Sequence, residues 1–194
     1  MNDLSTLLLA WYQKNKRELP WRKDQDPYHV WISEIMLQQT RIEAVIPYYD
    51  RFMKKIPSIH HLAVIPEDEL LKLWEGLGYY NRARNLKKAA QMIVEKYHGV
   101  FPNRYDDILK LPGIGEYTAS AIASICFSLA TPTVDGNVMR VFTRLKEDSR
   151  NVDLTRTKKQ IREELVPLMP KEAGSFNEAM MELGELICIP NGDA

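Results

Sequence analysis

The chain has 194 residues, of which 45% are hydrophobic and 27% are charged, and its formal net charge at pH 7 is zero. This length is sufficient to bury a hydrophobic core in one domain or in two small ones. A zero net charge excludes binding of nucleic acid through bulk charge, so any nucleic-acid surface has to be local. The two cysteines, Cys126 and Cys188, are far apart in the sequence and predict no disulfide framework, which favours a reducing compartment.

Apolar residues recur at intervals of three and four along most of the chain, which is the pattern of amphipathic α-helices. Prolines and glycines separate the periodic segments, and no long run alternates with the period of two that is typical of strands. The apolar run near the N-terminus is too short for a signal peptide or a membrane span. We therefore predict an all-α protein. Its predicted helices cover 3–15, 28–39, 41–54, 66–75, 79–98, 105–110, 115–130, 136–147, 155–168 and 174–187.

The segment LPGIGEYTASAIASI, residues 111–125, places two glycines directly before a predicted helix start at Glu116. Gly113 and Gly115 permit a tight bend, and the free N–H groups of the helix that follows suit a phosphate oxygen. Together with a short predicted helix from Tyr105, the segment forms a helix–hairpin–helix. The two glycines by themselves are equally compatible with a plain turn between two closely packed helices.

The longer motifs around this hairpin resemble those of MutY-type adenine DNA glycosylases, which belong to the helix–hairpin–helix superfamily of base-excision enzymes. The matching motifs, in chain order, are LPWR, PYHVWISEIMLQQT, WEGLGYYNRARNL, the hairpin and TPTVDGNVMRV. The resemblance covers nearly the whole chain and implies a helix–hairpin–helix glycosylase fold with two interlocked helical domains. One is expected to be a six-helix bundle at 21–126 that includes the hairpin motif at 105–125. The other combines 1–20 with 127–194, and DNA is expected in the cleft between them.

Hydrolysis of the bond between a base and deoxyribose needs an acid for the leaving base and an anion for the oxocarbenium-like sugar. Glu34 lies among apolar residues of a predicted helix, where desolvation raises the pKa of a carboxyl. The alternative for Glu34 is a salt-bridged position on the solvent face. Asp135 precedes a predicted helix at Gly136, where it suits an N-cap. By resemblance, Glu34 protonates adenine on its imidazole side. Asp135, oriented by Asn137, stabilises the sugar cation electrostatically or by transient covalent attachment.

Related glycosylases that also cut the strand use a lysine in the hairpin helix to form a Schiff base. Tyr117 is at the matching position, and residues 113–120 contain no lysine. A phenol cannot form an imine, so we expect base excision without an efficient lyase step. Tyr117 is expected to contact the sugar–phosphate backbone or the catalytic carboxylate, with inward packing as the alternative.

Recognition of an extruded base requires side chains that fill the vacated stack and read base edges. By resemblance, Gln39 and Tyr79 wedge into the duplex, whereas Trp21, Arg22 and Glu178 line the adenine pocket. The full set of expected DNA- and base-binding residues is Trp21, Arg22, Gln38, Gln39, Thr40, Tyr79, Gly113, Gly115 and Glu178.

Several of these positions have a plainer alternative. The polar run of Gln38, Gln39 and Thr40 also suits a helix end that frays into solvent, and Trp21 suits a core position. Tyr80 is expected to be a core aromatic. The basic segment NRARNLKK, residues 81–88, is compatible with phosphate tracking and equally with a solvated helix face.

The resemblance also implies two inorganic sites. The hairpin of this superfamily binds Na⁺ or K⁺ through main-chain oxygens, and the matching carbonyls belong to Leu109, Leu111 and Ile114. The family carries a 4Fe–4S cluster on four cysteines spaced C-x6-C-x2-C-x5-C, and Cys188 matches the first of them. The other three fall after the last residue, so we expect a truncated piece of a longer protein that lacks the cluster loop and the C-terminal 8-oxoguanine-sensing domain. Cys126 is expected to be buried and inert.

Together these features predict a DNA repair enzyme that excises adenine mispaired with 8-oxoguanine or guanine from double-stranded DNA. We expect a monomer in the bacterial cytoplasm, associated with the nucleoid and without a membrane partner. Three alternatives remain open. They are a glycosylase for another base such as mismatched thymine, a bifunctional enzyme like endonuclease III, and a non-catalytic helix–hairpin–helix DNA-binding module. The last would have no need for Glu34 and Asp135.

Overall fold

The computed structural model describes residues 2–190, with side chains from Leu4 onwards. Within that range the structure contains helices and no strand, which confirms the all-α prediction. The α-helices are α1 Asn2–Asn15, α2 Pro27–Leu37, α3 Ile42–Lys55, α4 Ile59–Val64, α5 Glu67–Trp74, α6 Asn81–Tyr97, α7 Tyr105–Leu109, α8 Glu116–Phe127, α9 Gly136–Leu145, α10 Thr155–Leu165 and α11 Ala173–Leu186. Two short 3₁₀ helices cover Pro20–Arg22 and Val166–Leu168. None of the helices described between residues 2 and 190 has the length and apolar character that a membrane span requires.

The helix α4 was absent from the sequence prediction. Its N-cap is Ser58, whose hydroxyl accepts the N–H of His61 at 3.4 Å. Ile59, Leu62 and Ala63 are buried, which is the i, i+3, i+4 spacing of an amphipathic helix. The signal was therefore present in the sequence, but it extends over only six residues.

Contacts between Cα atoms divide the chain into two compact units. One is Glu18–Ile122, called here the hairpin unit, and the other comprises the residues up to Arg17 and from Ala123 onwards, called the terminal unit. The boundary at Ile122 falls within α8, so the second helix of the hairpin motif contributes to both units.

The hairpin unit is built around large aromatic side chains. Trp31 and Trp74 are completely buried, and the ring of Trp74 meets that of Phe52 edge-on at 6.2 Å between centroids. Helix α4 packs against α6, and α2 packs against α3. The hydroxyl of Tyr28 donates to the carbonyl of Ile56 at 2.7 Å, which satisfies the one polar atom of that buried ring.

In the terminal unit α11 packs against α1 and α9. Its apolar core consists of Leu8, Tyr12, Val134, Val138, Val141, Phe142, Ile161, Leu165, Phe176, Ala179 and Met180. A buried ion pair ties the chain after α1 to α11, because Arg17 donates to both carboxylate oxygens of Glu182, which is 1% exposed. The hydrogen bond that Arg17 donates to Glu182 raises the pKa of Arg17 above its ordinary value. Loss of Arg17 would remove the cation from the buried carboxylate of Glu182, a change that costs roughly 3–5 kcal/mol in buried pairs.

Candidate active site

Helix α2 carries Glu34. The N-terminus of the helix is well capped, because the Asp26 carboxylate accepts the N–H of Tyr28 at 2.8 Å and Pro27 occupies the first turn. Ile35 and Met36 are buried, whereas Glu34 is half-buried at the edge of this apolar face. A carboxyl in that position is partly desolvated and still reachable from outside, as a proton donor to a bound substrate has to be.

The predicted helix over 28–39 is too long, because α2 ends at Leu37 and the polar residues that follow form a tight turn. The N–H of Thr40 donates to the Leu37 carbonyl at 3.1 Å. Gln39 has a φ of 58°, a left-handed conformation that few residues other than glycine adopt, and its side chain is exposed. Gln38 instead reaches the hairpin, where its Nε2 lies 3.5 Å from Thr118 Oγ1.

The loop that follows α5 also uses left-handed backbone. Gly76 and Gly78 have φ values of 98° and 69°. A Cβ at Gly76 would lie 2.0 Å from the Tyr48 hydroxyl oxygen, so only glycine fits there. Tyr79 has a φ of 47°, and its side chain is 65% exposed. The expectation that Tyr80 is a core aromatic is wrong. Tyr80 is 39% exposed, because the glycine turns carry both tyrosines to the surface at the start of α6.

The hairpin itself depends on Gly113 in particular. Its φ is 78°, and a Cβ at this position would lie 2.7 Å from the Cβ of Asn85 on α6. Gly115 does not have a positive φ, and its carbonyl accepts the N–H of Ala119 at 2.9 Å in the first turn of α8. Tyr117 is half-buried in that turn.

These segments of the hairpin unit enclose a pocket of about 430 Å³. The pocket lies where the end of α2, the glycine loop, the start of α6 and the hairpin meet. Its lining residues are Ile35, Gln38, Tyr79, Tyr80, Asn81, Arg82, Arg84, Asn85, Leu86, Pro112 and Gly113. The structure thus brings together three residues expected to bind DNA, namely Gln38, Tyr79 and Gly113.

The LPWR motif occupies the 3₁₀ helix and the residue before it. The Trp21 side chain is 6% exposed, and its ring meets that of Tyr49 edge-on at 5.3 Å between centroids. Trp21 is therefore part of the core of the hairpin unit, which agrees with the plainer of its two expected roles. Arg22 beside it is half-buried.

In the terminal unit Asp135 is the N-cap of α9. Its Oδ1 accepts the N–H of Val138 at 2.8 Å, and its Oδ2 accepts the side-chain amide of Asn137 at 3.1 Å. Both oxygens act as acceptors and the residue is half-buried, so the carboxylate is held in one orientation.

The segment that leads into Asp135 is fixed by a buried amide. Asn177 on α11 is 2% exposed. Its Oδ1 accepts the N–H of Thr133 at 3.1 Å, and its Nδ2 donates to the Thr131 carbonyl at 2.9 Å and to Ser124 Oγ at 2.8 Å. A fully bonded buried amide defines the path of this segment, because any shift would leave polar groups unpaired.

Arg140 connects the Asp135 region with the end of α11. Its guanidinium donates to Asn137 Oδ1 at 2.8 Å, to the Gly184 carbonyl at 2.7 Å and to the Cys188 carbonyl at 2.6 Å. The two segments are close, since a Cβ at Gly184 would lie 2.6 Å from the Cβ of Asn137. Glu178, also on α11, is half-buried and accepts the Tyr12 hydroxyl at 3.1 Å.

The residues present do not complete the donor set of an iron–sulfur cluster. Cys188 is half-buried, and Arg144 Nη1 donates to its sulfur at 3.2 Å. Over residues 2–190, no group of three or more His, Cys, Asp or Glu side chains is placed to hold a metal ion. A cluster with four thiolate ligands therefore cannot be assembled from these residues alone. The expectation that Cys126 is buried is wrong, because it lies in the half-buried last turn of α8.

Comparison with known proteins places the chain in a family. Residues 32–171 match the model of the HhH-GPD superfamily base excision DNA repair proteins, and the chain belongs to this superfamily. It is 44% identical over 184 residues to an adenine DNA glycosylase of Buchnera aphidicola subsp. Baizongia pistaciae, with 94% of this chain and 52% of the relative covered. The chain thus spans about half the length of the curated bacterial relative it matches.

Solved structures of DNA repair proteins share the fold. A thermostable thymine-DNA glycosylase superposes with a TM-score of 0.86 at 30% identity, covering 97% of this chain and 87% of that one. A trapped covalent intermediate of endonuclease III with DNA superposes with a TM-score of 0.81 at 25% identity, covering 99% and 90% of the two chains. The helix–hairpin–helix glycosylase fold expected from the sequence motifs is confirmed.

Proposed function

We propose that this chain is the catalytic part of an adenine DNA glycosylase that acts on double-stranded DNA and removes adenine mispaired with 8-oxoguanine or guanine. The observation that carries the choice of adenine is the contrast in identity. The chain is 44% identical to an adenine DNA glycosylase and 30% identical to the thymine-DNA glycosylase, in both cases over nearly its whole length. The proposed protein is a monomer in the bacterial cytoplasm, where it works on nucleoid DNA.

Glu34 is the proposed general acid. Adenine leaves deoxyribose readily only when a ring nitrogen is protonated, because the neutral base is a much better leaving group than its anion. The half-buried position of Glu34 beside the apolar face of α2 suits a carboxylic acid that delivers its proton to the imidazole side of the base.

Asp135 is the proposed partner of the developing sugar cation. Its two hydrogen bonds, from the Val138 N–H and the Asn137 amide, fix the carboxylate before substrate arrives. A charge that is already oriented does not have to reorganise during the reaction, which is why electrostatic stabilisation is effective in such sites. Asn137 orients Asp135, and Arg140 in turn holds Asn137 through its side-chain oxygen.

The pocket of the hairpin unit is the proposed surface for the distorted duplex. Gln39 and Tyr79 are exposed and are proposed to fill the space that the extruded base leaves. Gln38 and Thr40, which flank Gln39, are proposed to read base edges. Gly113 and Gly115 let a phosphate approach the hairpin backbone. The half-buried Arg22 and Glu178 are proposed to line the adenine pocket.

Two inorganic sites belong to the same proposal. The carbonyls of Leu109, Leu111 and Ile114 are proposed to bind Na⁺ or K⁺ beside the hairpin. The Leu111 carbonyl already accepts the Ile114 N–H at 3.1 Å, which leaves its second lone pair for a cation. Cys188 is proposed as one ligand of a 4Fe–4S cluster whose other three thiolates these residues do not supply, and no step proposed here depends on that cluster.

Tyr117 determines the type of product. It is half-buried at the start of α8, where enzymes with lyase activity carry a lysine amine. A phenol cannot form the Schiff base that leads to strand cleavage. The proposed product is therefore an abasic site in an intact strand.

The test is single-turnover base release from three duplexes, which carry adenine opposite 8-oxoguanine, adenine opposite guanine and thymine opposite guanine. Each reaction is read with and without hot alkali, because alkali cuts only where an abasic site has formed. Strand breaks on the adenine duplexes that need alkali are the expected result. Release of thymine alone, or breaks without alkali, would contradict the proposal. Binding without any release by wild-type protein would favour the non-catalytic module.

A further inference from the structure

The basic segment 81–88 is divided between two environments. The guanidinium of Arg84 points outward and forms an ion pair with Glu67 at 2.8 Å. Arg82, two residues earlier, turns its guanidinium inward onto main-chain carbonyls. This division was not predicted from the sequence, in which both arginines belong to one run of positive charge.

Arg82 gathers carbonyls from two segments that are distant in the chain. Its Nη1 donates to the carbonyls of Ile35, Met36 and Gln38 at 2.8, 3.1 and 2.7 Å. Its Nη2 donates to the carbonyls of Leu77 and Gly78 at 2.8 and 3.4 Å. The first group is the free carbonyl end of α2, where the Thr40 hydroxyl also donates to the Gln38 carbonyl at 3.3 Å. The second group is the glycine loop, where Trp74 Nε1 also donates to the Gly78 carbonyl at 3.1 Å.

Two of these carbonyls occupy special places. Gln38 immediately precedes Gln39, and Gly78 immediately precedes Tyr79. Both Gln39 and Tyr79 are exposed and have left-handed backbone, with φ values of 58° and 47°. A left-handed conformation in a residue other than glycine costs of order 1–3 kcal/mol and persists only where the surroundings impose it. One guanidinium thus holds the peptide before each of these two residues.

The groups around Arg82 occupy most of its guanidinium, so little of that group is accessible to another ligand. The guanidinium carbon lies 5.5 Å from the centre of the Trp74 ring and 5.6 Å from that of Tyr79, so the group is close to both aromatic faces. Its Nε is buried and has no hydrogen-bond partner within residues 2–190. Desolvation by burial lowers the pKa of Arg82 from its ordinary value. A guanidinium used in this way is not directed at a phosphate.

We propose that Arg82 is a positioning residue that holds Gln39 and Tyr79 in left-handed conformations and so presents them together as one wedge. The inference rests on the proposed function, because it takes these two side chains as the ones that enter the duplex. The fork geometry matters as well as the charge, since a lysine cannot reach carbonyls of both segments with one planar group.

The experiment compares Arg82→Lys with wild-type protein and with Lys96→Arg as a control in the last turn of the same helix, outside the pocket. Base extrusion is followed by the fluorescence of 2-aminopurine next to a mispaired adenine, and base release is followed under single-turnover conditions. Arg82→Lys is expected to lower the extrusion signal and to slow release by ~10²-fold, the effect of a misplacement of about 1 Å. Lys96→Arg is expected to change release by less than about threefold, because it keeps the charge of an exposed side chain.

Two further measurements separate positioning from other roles. The dependence of the duplex dissociation constant on salt is expected to be the same for Arg82→Lys, Arg82→Met and wild type. A fall in the slope of about one for Arg82→Met would identify a phosphate contact and overturn the proposal. Wild-type extrusion and release by Arg82→Lys, measured below its melting temperature, would show that the residue serves stability alone and would overturn it too.

A second substitution provides a rescue. Asparagine adopts the left-handed region more readily than glutamine and keeps the amide. Adding Gln39→Asn to Arg82→Lys is therefore expected to restore part of the lost extrusion, and strict additivity of the two effects would contradict the proposal. Since extrusion is observed without chemistry, the result stands even if wild-type protein releases no adenine. Absence of adenine release by the wild-type protein would reject the proposed function. The role of Arg82 would then be judged from base extrusion alone.

Discussion

The two units hold their candidate residues by different means. In the hairpin unit, Gln39 and Tyr79 lie in turns with left-handed backbone, and the carbonyls before them are bound by Arg82. In the terminal unit, Asp135 lies at the start of a regular helix, where the Val138 N–H and the Asn137 amide bind its carboxylate. Each unit uses one arginine to collect carbonyls from separate segments, Arg82 in the first and Arg140 in the second.

This difference predicts which candidate residues keep their position when the protein is substituted. A helix N-cap is determined by local geometry, because the helix that follows it fixes the direction of the free N–H groups. A left-handed turn has no such support from its own segment and depends on contacts from elsewhere in the fold. We therefore expect the carboxylate in the terminal unit to keep its position under conservative substitution. The wedge residues of the hairpin unit are expected to be sensitive to a single remote change.

The largest effect is expected for Glu34→Gln in the hairpin unit. The amide keeps the shape of the side chain but has no acidic proton to give, so base release should fall by roughly 10²–10⁴-fold. Duplex affinity, measured by fluorescence anisotropy, should stay within about threefold of wild type, because the turns that are proposed to contact DNA are unchanged. Substantial base release by this variant would remove Glu34 from the proposed mechanism.

Asp135 offers a pair of substitutions that separate chemistry from capping. Asparagine caps a helix about as well as aspartate, whereas alanine costs roughly 0.5–2 kcal/mol. Asp135→Asn should lower base release by about 10²–10³-fold, by loss of a preorganised charge, with little change in the urea midpoint. Asp135→Ala should lower both base release and the urea midpoint. If Asp135→Asn released base at the wild-type rate, the carboxylate would be only a cap.

A smaller effect is expected for Arg140→Met. The substitution removes the donor to Asn137, Gly184 and Cys188, and the loss should lower the free energy of unfolding by about 1–3 kcal/mol. Base release should fall less than in Asp135→Asn, because the Val138 N–H still holds Asp135. Arg150→Met is the control, since it removes the ion pairs of Arg150 with Asp148 and Glu164 and should lower stability less than Arg140→Met does. Equal stability losses in the two variants would contradict this ranking.

The last and smallest effect is expected on stability alone. It is measured by comparing substitutions of one glycine from each unit. Gly113→Ala introduces a Cβ with a positive φ and a close approach to Asn85, and should cost about 1–3 kcal/mol. Gly136→Ala in α9 places its Cβ in open space with no positive φ, and should cost nothing or stabilise the helix slightly. Urea denaturation of both variants measures the difference. An unchanged midpoint in Gly113→Ala would show that the hairpin can relax.

Most of the helices could be predicted from the sequence because their signals are local. Apolar spacing and the prolines located all the α-helices except α4, and the cap at Asp135 was visible as an aspartate before a glycine and a new helix. The hairpin was recognisable from Gly113 and Gly115, although only Gly113 has a left-handed backbone. The sequence did not indicate which of the two glycines was needed for the bend.

The roles proposed for Glu34, Asp135 and the DNA-binding residues remain predictions. The environments of several other side chains were decided by tertiary contacts. Tyr80 is exposed rather than buried, and Arg82 turns inward although its neighbours in the basic segment suggested a solvated face. Asn177 and Arg140 gave no sequence signal for their part around Asp135, because most of their partners are more than 40 positions away in the chain.

The sequence by itself determined the all-α class, the order of the helices, the hairpin and the family, because these depend on local periodicity, capping and contiguous motifs. Only the tertiary structure decided the left-handed turns at Gln39 and Tyr79 and the single guanidinium that joins them. The physical reason is that a strained turn and a buried cation are stable only through groups contributed by other segments. Such groups meet when the chain has folded, and no window of the sequence contains them together.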